Sequence, residues 1–157
     1  MVAILANIRS LFNVGSIFRT ADAAGIEKLY LAGITPTPVD RFGALRPQFA
    51  KVALGAERSV AWEKVVTAVK AIERLKKTGY KIFAIEQSSR STPYHKLPKS
   101  YILNPKFCLV VGNEVRGLPP AILKKCDKIL EIPMRGRKES LNVAVAFGIV
   151  AFRLIGK

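Results

Sequence analysis

The chain predicts an α/β fold, a mostly parallel sheet with helices on both faces, and three observations carry that prediction. Strand-like and helix-like segments alternate along nearly its whole length. Residues 106–111 (KFCLVV) form the continuous apolar run expected of a parallel strand covered on both sides. A length of 157 residues at 50% hydrophobic composition suits one domain, spanning 1–157, that buries about two-thirds of its unfolded surface.

Residues 3–8 (AILANI) give a first strand. Asn13 is placed to cap a helix whose apolar positions Val14, Ile17, Phe18 and Ala21 keep helical spacing up to a stop at Gly25. Residues 26–34 (IEKLYLAGI) are a second strand. Residues 35–58, with Pro36, Pro38, Gly43, Pro47 and Gly55, are a loop region longer than a plain connection needs. Arg41, Arg46, Lys51 and Arg58 space it with positive charge, which reads equally as a phosphate-contacting rim or as a solvated loop. Trp62, Val65, Val66, Val69, Ile72 and Leu75 fall at helical spacing and predict a helix ended by Lys76, Lys77 and Gly79.

Residues 80–86 (YKIFAIE) are the third strand, and residues 88–100 a polar loop holding the single histidine, His95, read as a surface residue. The run at 106–111 leads into Gly112, Asn113, Glu114, Val115, Arg116, Gly117 and Leu118, after which Pro119 and Pro120 open a short helix. Residues 128–134 (KILEIPM) make a last strand, 135–138 (RGRK) a basic turn, and Glu139, Ser140, Leu141 and Asn142 precede an apolar helix ending at Ile155. Ser140 and Asn142 therefore fall where a strand edge meets a helix start, the place where open α/β sheets bind ligands.

Charge narrows the partners. Lys and Arg number 26 against 11 Asp and Glu, leaving +15, well beyond what solubility asks of a small domain. Such an excess attracts polyanions; RNA, DNA and anionic membranes are candidates, and the fold pattern favours nucleic acid. The first residues are too short an apolar stretch for a secretion signal, and the run 141–155 is too short for a bilayer and contains Arg153. A soluble, cytoplasmic protein without membrane contact is expected. Cys108 and Cys126 stand alone, so neither a disulfide framework nor a zinc site is expected, and no Cys/His/Asp cluster has metal spacing. GxxxxGK[ST], GxGxxG and GxSxG are all absent. A cofactor would then carry no phosphate that demands a glycine-rich turn; an adenosine-type ligand held by loop backbone fits, although sequence physics does not select it.

Three separated motifs identify a relative. Asn7-Ile8-Arg9 with Asn13-Val14-Gly15-Ser16-Ile17-Phe18-Arg19-Thr20-Ala21 is the first, Val110-Val111-Gly112-Asn113-Glu114-Val115-Arg116-Gly117-Leu118 the second, and Ile132-Pro133-Met134 followed by Ser140-Leu141-Asn142-Val143-Ala144-Val145-Ala146 the third. In this order and spacing the chain resembles, over nearly its whole length, the SpoU or TrmH-like branch of the SPOUT-class RNA methyltransferases.

That resemblance implies S-adenosyl-L-methionine-dependent 2′-O-methylation of an RNA ribose by a homodimer whose carboxy-terminal part is threaded as a trefoil knot, an exception to the usual rule on connections. By resemblance, Gly112, Asn113, Glu114, Ile132, Met134, Ser140 and Leu141 hold the cofactor, and Arg19, Glu114, Ser140 and Asn142 form the reaction site. Asn13 supports Arg19, and Asn13, Arg19, Arg41, Arg46, Arg116, Arg135 and Arg137 face the RNA. No metal is implied. The chain begins almost at the first motif, so RNA recognition is expected from the catalytic domain itself, across the dimer, as in compact transfer-RNA-modifying members; ribosomal RNA is the other possible substrate.

The chemistry sets its own demands. A ribose hydroxyl is a poor nucleophile, and Arg19, a guanidinium that does not give up its proton, is a poor base. Arg19 reads better as a clamp on the adjacent phosphate and hydroxyl, the proton leaving to that phosphate, to water or to a carboxylate, of which Glu114 is the best placed by motif. Plainer roles stand beside these: Arg19 pairing with Asp22, Asn13 a helix cap, Ser140 the cap of the last helix, Gly112 and Gly117 serving turn geometry. A basic RNA-binding or ribosome-assembly module without catalysis, and a base-methylating SPOUT enzyme, are the competing functions.

Overall fold

The computed structural model describes residues 1–102 and 106–156. Its elements are β1 (Val2–Ala6), α1 (Leu11–Ala23), β2 (Lys28–Ala32), α2 (Pro47–Ala53), α3 (Ala56–Ser59), β3 (Ala61–Val65), α4 (Ala68–Lys77) and β4 (Lys81–Ile85). There follow β5 (Thr92–Pro93), a 3₁₀ turn (Tyr94–Lys96), α5 (Lys99–Ile102), β6 (Phe107–Val111), α6 (Pro120–Leu123), β7 (Lys128–Glu131) and α7 (Val143–Ile155). Seven strands among the described residues form one sheet in the order β3-β2-β1-β6-β4-β7-β5, and every pairing is parallel.

Alternation along the central strands splits the core in two. Ala3 and Leu5 of β1 with Leu109 and Val111 of β6 face a layer built by Val14, Ile17 and Phe18 of α1, Phe49 of α2 and Phe147, Val150 and Leu154 of α7. Val2 and Ile4 with Cys108 and Val110 face the opposite layer, where Ala71, Ile72 and Leu75 of α4 and Ile122 of α6 pack. Both faces of β1 and β6 are buried, which is why these strands read as unbroken apolar runs. Phe18 and Phe49 meet edge to face at 5.1 Å, pinning α1 to α2.

Four expectations need correction. The proposed helix from Trp62 to Leu75 is two elements: Ala61–Val65 pairs with β2 as an edge strand, and α4 begins only after Thr67, whose side chain accepts from Lys70 N. Trp62 and Val65 point to opposite faces of the sheet, so their helical spacing was coincidental, and Val66 is 77% exposed. The 35–58 loop contains α2, started by Pro47, and α3. Residues 88–100 are likewise structured, carrying β5, the 3₁₀ turn with His95, and the start of α5. Finally, α1 is capped by Ser10, whose Oγ accepts from Asn13 N, so Asn13 lies inside the helix with its side chain free for other work.

A parallel sheet puts all strand C-termini on one edge. Thr35, fully buried, stitches that edge together by donating to Leu5 O and accepting from Ile8 N.

Candidate active site

Where β4, β6 and β7 end, the loops that follow them enclose a cleft of about 260 Å³. Ile85, Val111, Leu130, Ile132, Leu141 and Val143 supply apolar wall, and Glu86, Glu114 and Glu131 supply carboxylates. Every residue expected to hold a cofactor borders this one cleft: Gly112, Asn113 and Glu114 from the loop after β6, Ile132 and Met134 from the stretch after β7, and Ser140 and Leu141 just before α7. Asn142 lines it too, at the N-cap of α7.

A chain of hydrogen bonds ties the three motifs together. Glu114 accepts from Arg9 N at 3.0 Å, Ser10 N at 3.1 Å and Asn13 Nδ2 at 3.0 Å. Asn13 Oδ1 in turn accepts from Asn142 Nδ2 at 3.0 Å, and Asn142 Oδ1 accepts from Ala144 N and Val145 N. The amide orientations follow from chemistry: a carboxylate only accepts, so Asn13 must turn its NH₂ to Glu114 and its oxygen to Asn142. Partial burial acts to raise the Glu114 pKa, but the Arg9, Asn13 and Ser10 donors outweigh it and hold the carboxyl below its ordinary value. Glu114 is thus an anion closing the start of α1, and its oxygens are occupied. Asn13 supports Glu114 and Asn142; no contact joins it to Arg19 among the described residues.

The loop over residues 112–118 is held rigidly. Asn113 Oδ1 accepts from Val115 N and Arg116 N, its Nδ2 donates to Asn7 O, and Gly117 N closes the turn on Asn113 O. A Cβ on Gly112 would sit 2.7 Å from Gly117 C, so the loop folds back through space that only glycine leaves open. Glu86 braces the far side, accepting from Leu118 N at 2.7 Å, and Gln87 Nε2 reaches Glu139 O at 2.6 Å to tether the chain entering α7. Neither Glu86 nor Gln87 was singled out from the sequence. The signal was there: both follow directly on an apolar strand, at the C-terminal edge where ligands bind.

The arginines stand outside. Arg19 is exposed on α1, six residues and about 9 Å along the helix axis from Asn13, and does not line the cleft. It forms no ion pair with Asp22 among the described residues. Arg116, Arg135 and Arg137 are exposed around the rim, and Arg9, not singled out beforehand, joins them next to Glu114. Arg41 and Arg46 lie in the loop after β2, where Arg46 Nε donates to Thr37 O and Val39 O. Ser140 is exposed with no hydrogen bond among the described residues. The same residues contain no group of three His, Cys, Asp or Glu placed to hold a metal, and no helix long and apolar enough to cross a membrane.

Comparison with known proteins gives the family and the fold. The model of the SpoU rRNA methylase family matches residues 1–152. The chain is 33% identical over 151 residues to the 23S rRNA (guanosine-2′-O-)-methyltransferase RlmB of Neisseria meningitidis, covering 96% of this chain and 56% of that protein. The crystal structure of the A. aeolicus TrmH/SpoU tRNA modifying enzyme superposes with a TM-score of 0.82 at 29% identity, over 99% of this chain and 73% of the other. The AdoMet-bound rRNA methyltransferase of Sinorhizobium meliloti gives a TM-score of 0.86 at 27% identity, over 98% and 54%. The chain spans little more than half the length of the curated relatives it matches.

Proposed function

The chain belongs to the SpoU rRNA methylase family, and on that premise we propose that it transfers a methyl group from S-adenosyl-L-methionine to a ribose 2′-hydroxyl of RNA in the cytoplasm. The observation that carries this reading is the Glu114–Asn13–Asn142 hydrogen-bond chain, which brings all three motifs to one cleft.

The cleft suits the cofactor. Its apolar wall and loop backbone fit an adenosine-type ligand without phosphates, and Glu86, Glu114 and Glu131 suit a cationic sulfonium, with the rim arginines outside. Gly112, Asn113, Ile132, Met134 and Leu141 would hold it. When bound, it supplies an electrophilic methyl group. Positioning is then the main task of the protein. Asn142, fixed by α7 and Asn13, and the free Ser140 hydroxyl orient the ribose. Glu114, with lowered pKa and occupied oxygens, acts as a positioning residue, so the hydroxyl proton leaves to the neighbouring phosphate or to water while Arg19 clamps that phosphate.

The homodimer reading is supported by exposed apolar residues on the α1/α7 pair: Phe12 is 51%, Val145 50% and Phe152 49% exposed. Arg19 stands outside its own cleft, and pairing through this face would bring it toward the cleft of the partner. The carboxy-terminal part is read as a trefoil knot from the family resemblance; in keeping with it, the chain leaving β7 is tethered to Gln87 after β4 and to Asn13 of α1. Transfer RNA is the favoured substrate, in keeping with the A. aeolicus likeness; ribosomal RNA is the second reading, favoured by the likeness to the N. meningitidis enzyme.

Calorimetric titration with S-adenosyl-L-methionine tests the cofactor reading, and absence of binding at millimolar ligand sinks it. Incubating the protein and labelled cofactor with total transfer RNA and ribosomal RNA separately, then digesting to nucleosides, tests the rest. A methyl on the ribose is expected; a methyl on the base overturns the ribose reading.

A further inference from the structure

The loop after β2 ends in a feature that folding does not explain. Phe42 is 79% exposed at its tip, with the Arg41 guanidinium 4.7 Å over the ring. The loop beneath is rigid. Asp40 Oδ1 accepts from Phe42 N and Ala44 N, Asp40 N donates to Ala44 O, and Gly43 makes the turn with φ +81°. Val39 pairs with Leu45, Arg46 braces the Thr37 and Val39 carbonyls, and Lys64 Nζ holds Gly33 O and Thr35 O at the root. An aromatic ring left in water on so ordered a support contributes almost nothing to the core.

Its position suggests a use. The loop rises from the same sheet edge as the cleft, with β1 alone between β2 and β6, so about 10 Å of edge separates its root from the Gly112 loop. Arg9 lies between them at the end of β1, and Arg116 rises beyond. Exposed aromatic and guanidinium planes beside a basic rim are what unpaired bases stack on, while phosphates follow the charge.

We propose that Phe42, flanked by Arg41, is a stacking platform for an unpaired base of the RNA substrate, next to the nucleotide held at the cleft. This rests on the RNA reading above and adds to it a single-stranded or loop segment as the form recognised. Pre-ordering of the tip by Asp40 and Arg46 means that little freedom is lost on binding.

The test uses the full chain and two fluorescent probes, a single-stranded oligouridylate and a blunt RNA duplex of equal length. Phe42→Ala should weaken single-strand binding about 5- to 100-fold while duplex binding, its salt dependence, cofactor affinity and thermal midpoint stay at wild-type values. Phe42→Trp should retain binding, and its fluorescence should be quenched by the oligouridylate beyond the change given by Trp62 in the wild type. Equal single-strand affinity in wild type and Phe42→Ala overturns the platform alone; so does an equal loss on both probes. A wild-type chain that binds S-adenosyl-L-methionine but neither probe overturns both the platform and the RNA reading.

Discussion

Glu114 and Asn142 hold the cleft together through hydrogen bonds and, in the proposed reaction, also position the substrate, and substitutions can separate the two roles. Asn142→Asp keeps an oxygen for Ala144 N and Val145 N but cannot donate to Asn13 Oδ1, and it sets a second carboxylate near the amide that serves Glu114. Thermal midpoint should stay within about 2 °C of wild type, while turnover in a methyl-transfer assay falls at least about tenfold, roughly 1.4 kcal/mol of transition-state stabilisation. For Glu114 the sign of the pH dependence follows from its lowered pKa. A depressed folded-state value stabilises the fold above the unfolded pKa, near 4.5, and that contribution disappears as pH falls through the lower folded value. Glu114→Gln should therefore be less stable than wild type at pH 7, with the gap narrowing as pH falls below 4.5 and through the lower folded value, as read by thermal unfolding across that pH series.

Single elements show how far local pattern reaches. The loop over 112–118 depends on backbone against backbone, so Gly112→Ala should cost about 1–3 kcal/mol and abolish cofactor binding by calorimetry, since Gly117 cannot retreat without breaking the turn that Asn113 closes. The central strands and the site motifs were legible in the sequence because continuous apolar runs and small polar loops have few alternative readings. At the edge the signal failed: Ala61–Val65 is half-buried, and Trp62 with Val65 mimicked a helical stripe although Thr67 was already marking the start of α4. Asn13 was read as a cap because it precedes an apolar run; Ser10, three residues earlier, holds that role, which a sequence window cannot distinguish from a turn residue. The link from Glu114 to Asn13 spans 101 residues, and no local pattern encodes a partner that distant.

At the scale of the whole molecule, charge and the α1/α7 face make the predictions. A net charge of +15 should make RNA binding steeply salt-dependent, and Arg9→Ala or Arg116→Ala should each lower the slope of log K against log salt by about 0.7–0.9. Phe152→Asp, at a half-exposed position, should leave circular dichroism unchanged and shift the sedimentation coefficient from dimer to monomer; a wild-type monomer would count against the homodimer. Every sheet pairing is parallel and joins segments that need a crossover, and β1 meets β6 across most of the chain, so folding waits on distant partners.

The same dependence governs when the cleft can form. Asn13 leaves the ribosome long before Asn142, 129 residues later, and synthesis exposes the amino terminus first. Until the last helix has emerged and docked, the cleft lacks its Ser140 wall and the hydrogen-bond chain its final member. A nascent chain that stops short of α7 therefore has no complete cleft, and the proposed site exists only once Asn142 has emerged and docked.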